Sequence, residues 1–190
     1  AQRLQARLVR HADDFVVLCR KDVATPLELI QQILAKLDLT LNDDKTRVVD
    51  AGVERFRFLG FELGMATGRT TGRRYPHVEP SAKAAKQIKQ RVTELTTRNQ
   101  TWRPLGDIVR EVNRALRGWV GYFHYRNCST VLAQVKRHAE ERLRTHLRKR
   151  HKIKDRGMGL HRFPNRVLYA DYGLYKVPTS AGWTSAHASV

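Results

Sequence analysis

Apolar residues recur at helical spacing three times between Ser81 and Arg150, and this periodicity limits the fold more than any other feature of the chain. The three stripes are Ala85, Ile88, Val92 and Leu95; then Leu105, Ile108, Val109, Val112, Leu116 and Trp119; then Leu132, Val135, Ala139, Leu143 and Leu147. They predict three amphipathic helices that begin near Ser81, after Pro104 and at Ser129. Such helices, joined by short links, are expected to form a small bundle.

Two short apolar runs flank a pair of carboxylates near the start of the chain. Leu8-Val9 precede Asp13-Asp14, and residues 15–19 follow the pair. The runs are β-branched or aromatic and short, which predicts two strands. Asp tolerates turn geometry, so Ala-Asp-Asp at 12–14 is expected to be a tight hairpin turn. We expect the strands to be buried on at least one face, so that the turn is held rigidly.

A rigid turn with two adjacent carboxylates concentrates negative charge. A hard divalent cation with oxygen ligands, such as Mg²⁺, would relieve that charge. This arrangement suits two-metal catalysis, in which a pair of ions activates an attacking oxygen and stabilises the leaving one. The alternative is a solvated turn without function.

The segment after the hairpin has weaker signals. Residues 30, 33, 34 and 37 are apolar and share one helical face, so a helix that begins at Thr25-Pro26 is expected to pack on a sheet. Arg47-Val48-Val49 indicates another strand. Apolar and polar residues alternate over residues 56–63, except that two apolar residues, Phe58 and Leu59, are adjacent. This interruption predicts one strand with a bulge or kink. Residues 66–80 contain Gly68, Gly72 and Pro76, with Gly64 just before them, which predicts a linker or loose hairpin at a domain boundary. The predicted fold class is α+β.

The charge of the chain, +18 in total, is unevenly distributed. Residues 1–65 contain ten Lys/Arg and ten Asp/Glu, whereas residues 81–170 contain twenty-two Lys/Arg and six Asp/Glu, for +16. A basic surface of this size usually binds a polyanion, most often nucleic acid. The alternatives are a merely soluble cationic surface and a membrane-surface patch.

The cysteine content and the length of the apolar runs bear on the location of the protein and on membrane association. The two cysteines, Cys19 and Cys128, are far apart and predict neither a disulfide framework nor a metal cluster, which fits a cytoplasmic protein. No apolar run approaches the roughly 20 residues of a membrane span, so no membrane partner is expected. The chain begins at Ala1 without Met and reaches a strand almost at once, which suggests a fragment.

Aromatic residues alternate with arginines between residues 116 and 126. Such side chains can stack on bases and contact phosphates together. Spacings of three and four favour a core role for Trp119 and Phe123, whereas other side chains are better placed for contact. The candidate nucleic-acid ligands are Arg117, Trp119, Tyr122, Tyr125 and Arg126, with Lys136, Arg137, Arg144 and Arg148 from the third predicted helix.

Several segments together resemble one family. HADDFVVLC resembles the Tyr-Ala-Asp-Asp segment of reverse transcriptases, and LTLNDDKTRVV, FRFLGFEL, PSAKAAKQI and LRGWVGYF extend the likeness to the reverse transcriptase/maturases of bacterial group II introns. The resemblance implies that residues 1–65 are the C-terminal half of a palm, with FRFLGFEL as the strand pair called the primer grip. It implies that residues 81–170 are the thumb or maturase domain (domain X), which binds intron RNA, and that residues 171–190 are a tail.

The resemblance also implies roles for individual residues. Asp13 and Asp14 would hold Mg²⁺, and Lys45 would lie near the nucleotide phosphates as a candidate proton donor, unless it is an ordinary turn lysine. His11 stands where the family usually has Tyr, beside nucleotide and primer. The implied partners are intron RNA, an RNA template with its DNA primer, and deoxynucleotides. The third carboxylate of the family lies on an upstream strand that is absent here, with the fingers, so the chain alone is not expected to polymerise.

Three functions remain open from the sequence. The first is an RNA-directed DNA polymerase that is also an intron maturase, promoting group II intron splicing and mobility. The second is an RNA-binding splicing factor without polymerase activity. The third and weakest is a general basic DNA-binding module.

Overall fold

The computed structural model describes residues 5–20, 22–42 and 45–180. The chain is α+β and divides into two compact units, residues 1–54 and residues 55–190. The described residues form six α-helices, a two-stranded sheet and a three-stranded sheet, both antiparallel. The predicted fold class is therefore confirmed.

The first unit contains the predicted hairpin. Strand β1, Ala6–His11, pairs with strand β2, Asp14–Cys19, and His11 lies opposite Asp14. Ala12 and Asp13 form the turn, and Ala12 has a positive φ of 52°. Helix α1, Ala24–Ala35, follows.

Three predictions for the first unit are wrong. The hairpin strands are not buried on one face, since Leu8 is 60% exposed and Leu18 48%. The predicted apolar face of α1 packs on no sheet, since Ile33 and Leu37 are exposed and Ile30 and Leu34 are only half-buried. Residues 47–49 form no strand and pair with no described strand. The described part of this unit offers one hairpin and one helix, which is too little apolar surface for a closed core.

The second unit begins with a three-stranded meander: β3, Phe56–Phe58; β4, Phe61–Thr67; and β5, Arg74–Pro80. The single bulged strand predicted from alternation over residues 56–63 is wrong, and these residues form the strand pair that the resemblance implied. Leu59 and Gly60 have positive φ values of 49° and 79°, which is the geometry of a two-residue hairpin turn. The slip in alternation marks that turn.

The predicted linker at 66–80 lies inside this sheet. β4 and β5 pair from Phe61↔Pro80 to Thr67↔Arg74, so only residues 68–73 form a loop between them. The boundary between the compact units lies between Glu54 and Arg55 instead, because strand pairing joins residues 56–80 into one sheet.

The three predicted helices are confirmed: α2, Ala82–Leu95; α3, Leu105–Phe123; and α4, Ser129–Arg150. The Ser81 side chain caps α2 by accepting a hydrogen bond from the Ala84 N–H at 3.2 Å. A short 3-10 helix, Arg98–Gln100, precedes α3. The predicted stripes are buried in one core, where Ile108, Leu116, Leu132, Leu143 and Leu147 are each 0% exposed.

Two short helices complete the second unit: α5, Arg156–Arg162, and α6, Asn165–Ala170. Residues 171–180, which the sequence assigned to a tail, continue onto the core, where Leu174 and Val177 are 4% and 1% exposed. The rest of that predicted tail, residues 181–190, lies outside the described residues. Within the described ranges, no helix is long and apolar enough to cross a membrane.

Candidate nucleic-acid interface

All six carboxylates of the basic segment 81–170 have partners inside the second unit. Four pair with arginines: Glu94 with Arg91, Asp107 with Arg110, Glu111 with Arg103, and Glu141 with Arg144 and Arg156. The other two are occupied by neutral donors, since Glu140 accepts from the Tyr169 hydroxyl and Asp155 caps α5 by accepting from the Met158 N–H. Each carboxylate of the segment thus has a hydrogen-bond or ion-pair partner among the described residues.

A set of exposed cations therefore faces solvent without an ion pair to any described residue. The set comprises Lys83, Lys86, Arg98, Arg114, Arg117, Arg126, Arg137, Lys149, Lys152, Lys154, Arg162 and Arg166. Exposed cations that lack a carboxylate partner are available to phosphates. The positive charge predicted from composition thus lies on the surface.

One face of α3 combines three arginines with two glycines. Arg110, Arg114 and Arg117 follow one another at spacings of four and three, and all are exposed. A Cβ at Gly118 or Gly121 would meet nothing within 4 Å, so this end of the face is open. The predicted ligand Arg117 also stacks on the Tyr175 ring, 4.7 Å from its centroid.

The C-terminal end of α3 holds the other predicted aromatic ligands. Tyr122 is 54% exposed, but its hydroxyl donates to the Leu59 carbonyl at 3.0 Å, which fixes the ring beside the β3–β4 turn. Tyr125 is half-buried, and Arg126 lies over its ring at 5.6 Å with Nε donating to its hydroxyl at 3.2 Å. These side chains form a fixed aromatic and cationic edge.

Trp119 is less accessible than those neighbours. It is half-buried against the core and stacks with Phe123 at 4.8 Å, which agrees with the core role that its spacing favoured. Its Nε1 is buried and has no hydrogen-bond partner among the described residues.

The predicted ligands on α4 differ in accessibility. Arg137 is exposed and Lys136 half-buried, whereas Arg148 is half-buried and donates to the Lys154 carbonyl at 3.3 Å. Arg144 is only 8% exposed. Its guanidinium donates to the Phe163 carbonyl at 3.0 Å, to Glu141 at 2.9 Å and to Asn165.

Arg144 therefore joins α4 to α5 and α6 and does not face solvent, contrary to the sequence prediction. A surface cavity lined by Glu141, Arg144, Thr145, Arg148, Arg156 and Gly159 lies beside it. Glu141 bonds to both Arg144 and Arg156 there, so the cavity already contains a counterion for its arginines.

Sequence reasoning missed Trp102, which is 80% exposed. It lies between the 3-10 helix and α3, where the helical pattern is broken by polar residues. The sequence does contain a signal for it, because Trp102 is a large aromatic residue in a polar connection and lies outside every predicted apolar stripe.

The hairpin of the first unit presents His11, Asp13 and Asp14 to solvent. Lys45 is also exposed, and its backbone N–H donates to the Asn42 carbonyl at 3.1 Å. Carboxylate oxygens are the donors that Mg²⁺ takes, but two carboxylates fill only part of its octahedral shell. Residues 5–20, 22–42 and 45–180 contain no cluster of three or more His, Cys, Asp or Glu that could hold a metal.

Comparison with known families adds a direct match to the helical bundle. A family model described as "Group II intron, maturase-specific domain" matches residues 85–163, from the first turns of α2 to the end of α5. A comparison with curated proteins found no match. Residues 85–163 are therefore similar to group II intron maturase-specific domains, which is consistent with a fragment of a group II intron maturase and reverse transcriptase.

Proposed function

We propose that the second unit binds group II intron RNA and promotes splicing of the intron as a maturase. The match to the maturase-specific domain over residues 85–163 carries this proposal. The surface supports it, because the six carboxylates of segment 81–170 are engaged internally and unpaired cations remain exposed. Phosphate contacts by such cations raise affinity and make it depend on salt.

Binding of the chain to a group II intron RNA, titrated over a salt series, tests the proposal. Neutralising one phosphate contact should lower the slope of log affinity against log salt by about one. We expect that reduction in Arg114→Gln and in Arg137→Gln, since both arginines are exposed without ion pairs. Arg47→Gln is the matched control, because Arg47 lies outside the basic segment 81–170 and already pairs with Glu54 at 3.6 Å.

Two results would contradict RNA binding by this surface. One is an equal loss of slope in Arg47→Gln. The other is equal affinity of the wild-type chain for intron RNA and for unrelated duplex DNA at physiological salt, which would favour a general basic DNA-binding module.

We further propose that the first unit supplies part of the palm of an RNA-directed DNA polymerase, with RNA template, DNA primer and deoxynucleotides as substrates. The observation that favours this function is the Asp13-Asp14 pair at the tip of a tight hairpin, where both side chains are exposed. When bound, Mg²⁺ would activate the primer hydroxyl and neutralise the leaving phosphates. Asp13 and Asp14 would hold the ion, Lys45 would face the phosphates, and His11 would lie beside the primer.

A paramagnetic ion can test the metal proposal without polymerase activity. Mn²⁺ is expected to broaden the backbone amide resonances of Asp13 and Asp14, and Asp13→Ala with Asp14→Ala should abolish the broadening. Amides at the hairpin that stay sharp at millimolar Mn²⁺ would reject the site. Mg²⁺-dependent primer extension by the isolated chain would overturn the expectation that a third carboxylate is required.

A further inference from the structure

Trp102 is the most exposed aromatic ring among the Phe, Tyr and Trp residues that the structure describes, at 80%. Trp119, in contrast, packs against the core. An indole ring gains free energy when it is buried, and a buried Trp normally finds a partner for its N–H. The ring of Trp102 is neither buried nor hydrogen-bonded to a described residue, so packing within the fold does not account for a tryptophan at this position.

The backbone on both sides of Trp102 is held in place. The Arg150 guanidinium donates from Nη1 to the Thr101 carbonyl at 2.8 Å and to the Arg103 carbonyl at 2.6 Å. These two carbonyls bracket Trp102. The last residue of α4 thus fixes the loop while the indole ring extends into solvent, which is the arrangement of a preorganised contact.

Arg103 strengthens the same loop from the other side. Its guanidinium donates to both carboxylate oxygens of Glu111, at 2.5 Å and 3.5 Å, and to Gln100 at 3.3 Å. The hydrogen bond from Arg103 lowers the pKa of Glu111, so that carboxylate stays ionised and engaged. The loop is therefore rigid, and its acidic neighbour is neutralised.

The surroundings of the loop are basic. Residues 97–103 include Arg98 and Arg103 and no carboxylate. The end of α4 that clamps the loop continues through residues 148–154, which hold five Lys/Arg and no carboxylate. Arg98 is exposed and forms no ion pair with a described residue. A ligand that covers Trp102 thus meets an aromatic face within a field that favours anions.

We propose that Trp102 stacks on an unpaired nucleobase of the bound RNA, while the cations beside the Arg150 clamp contact the adjoining phosphates. The inference rests on the RNA-binding function proposed above and assigns it a single-stranded segment. Unpaired bases stack on aromatic rings, whereas bases within an RNA duplex are already stacked on one another. Stacking and phosphate contact together match what this loop offers.

Affinities of the chain for two RNAs of equal length, an unstructured single strand and a blunt duplex, test the inference. Trp102→Ala is expected to weaken binding of the single strand about tenfold, as for other stacking residues. Duplex binding should change by less than about twofold, because its phosphate contacts remain. Trp102→Phe retains a stacking face and should recover most of the affinity. The slope against salt should stay the same in both variants, since no phosphate contact is removed.

Leu160→Ala is the matched control, because Leu160 is an exposed apolar residue on α5, at 56%, and is not part of the loop. It should bind both RNAs as the wild type does. Circular dichroism and denaturant titration of each variant establish that it is folded.

The outcomes separate this inference from the function on which it rests. Wild-type chain that fails to bind intron RNA would overturn both. Wild-type binding with unchanged affinity in Trp102→Ala would overturn the stacking role alone. An equal loss for single strand and duplex, or a loss in Trp102→Phe as large as in Trp102→Ala, would also reject stacking.

Discussion

Asn127 and Val78 exchange two hydrogen bonds. The Val78 N–H donates to Asn127 Oδ1 at 3.2 Å, and the Asn127 N–H donates to the Val78 carbonyl at 3.0 Å. Val78 lies in β5, the edge strand of the meander, and Asn127 lies in the connection between α3 and α4. The asparagine thus satisfies the free edge of the sheet as another strand would, and it joins the sheet to the bundle.

Asn127→Ala should destabilise the second unit, because it leaves the half-buried Val78 N–H without its acceptor. We expect a loss of about 1–2 kcal/mol in the free energy of unfolding. Urea denaturation followed by circular dichroism measures it. Asn99→Ala, at an exposed position without side-chain hydrogen bonds to described residues, is the control and should change stability little. Equal stability of the two variants would show that the exchange with Val78 contributes nothing.

Gly60→Ala should also destabilise the second unit. Gly60 has a φ of 79°, and a Cβ there would lie 3.1 Å from Cζ of Phe123, which packs under the β3–β4 turn. Backbone strain and steric overlap together should cost roughly 3 kcal/mol.

Gly72→Ala separates the two contributions. Gly72 also has a positive φ, 64°, but a Cβ there meets nothing within 4 Å. Gly72→Ala should therefore lower the free energy of unfolding through backbone strain alone, by about 1–2 kcal/mol. Thermal denaturation of both variants gives the comparison, and an equal effect would mean that the Phe123 ring moves aside.

Stability of the bundle should fall as the solution is acidified. His146 is completely buried, and burial lowers its pKa, with a smaller contribution from the neighbouring cations Arg150 and Arg142. Burial lowers the pKa of His138 as well. The unfolded chain therefore binds more protons than the folded chain below the ordinary histidine pKa of about 6.5. The stabilising effect is complete above that pH and is lost progressively below it.

Urea midpoints at pH 7.5 and pH 5.5, at constant ionic strength, measure this loss. His146→Leu removes one titrating group, so its midpoint should fall less between the two pH values than that of the wild type. Histidine ring resonances followed by NMR provide a second test in the unmodified chain. A His146 signal that titrates at or above the ordinary range would contradict the prediction.

Asp13→Ala with Asp14→Ala should leave the affinity for intron RNA unchanged within about twofold. The two carboxylates belong to the unit 1–54, whereas the cations proposed to hold RNA belong to the unit 55–190. Filter binding at two salt concentrations measures the affinity, and the single variant Arg114→Gln serves as the positive control for loss. A marked loss in the double variant, with folding intact, would place the hairpin in the RNA interface.

The bundle could be predicted from the sequence because each helix buries one regular stripe. The predicted bounds of the third helix, Ser129 to Arg150, match those of α4. The alternation pattern missed the β3–β4 hairpin, which the family resemblance implied as a strand pair. Its turn is Leu59-Gly60, and Leu at a positive φ lacks the Asn-Gly or Asp-Gly signal of such turns.

The candidate site was predicted less completely, because exposure depends on what covers each helix. Arg137 and Arg144 lie seven residues apart on α4 and so share roughly one face. Only the return of the chain at Phe163 and Asn165 buries the second of them. Trp102 was missed because no periodic pattern includes it, and its loop depends on Arg150, which is distant in sequence.

The six occupied carboxylates have a consequence for folding itself. Segment 81–170 retains a net charge of +16 after its six carboxylates are counted, and all of these carboxylates already have partners inside the unit. Self-repulsion of this size destabilises a compact state. A polyanion that binds the folded unit removes the repulsion and adds stabilisation by mass action. If the proposed RNA is that polyanion, RNA should raise the midpoint of thermal unfolding of the second unit.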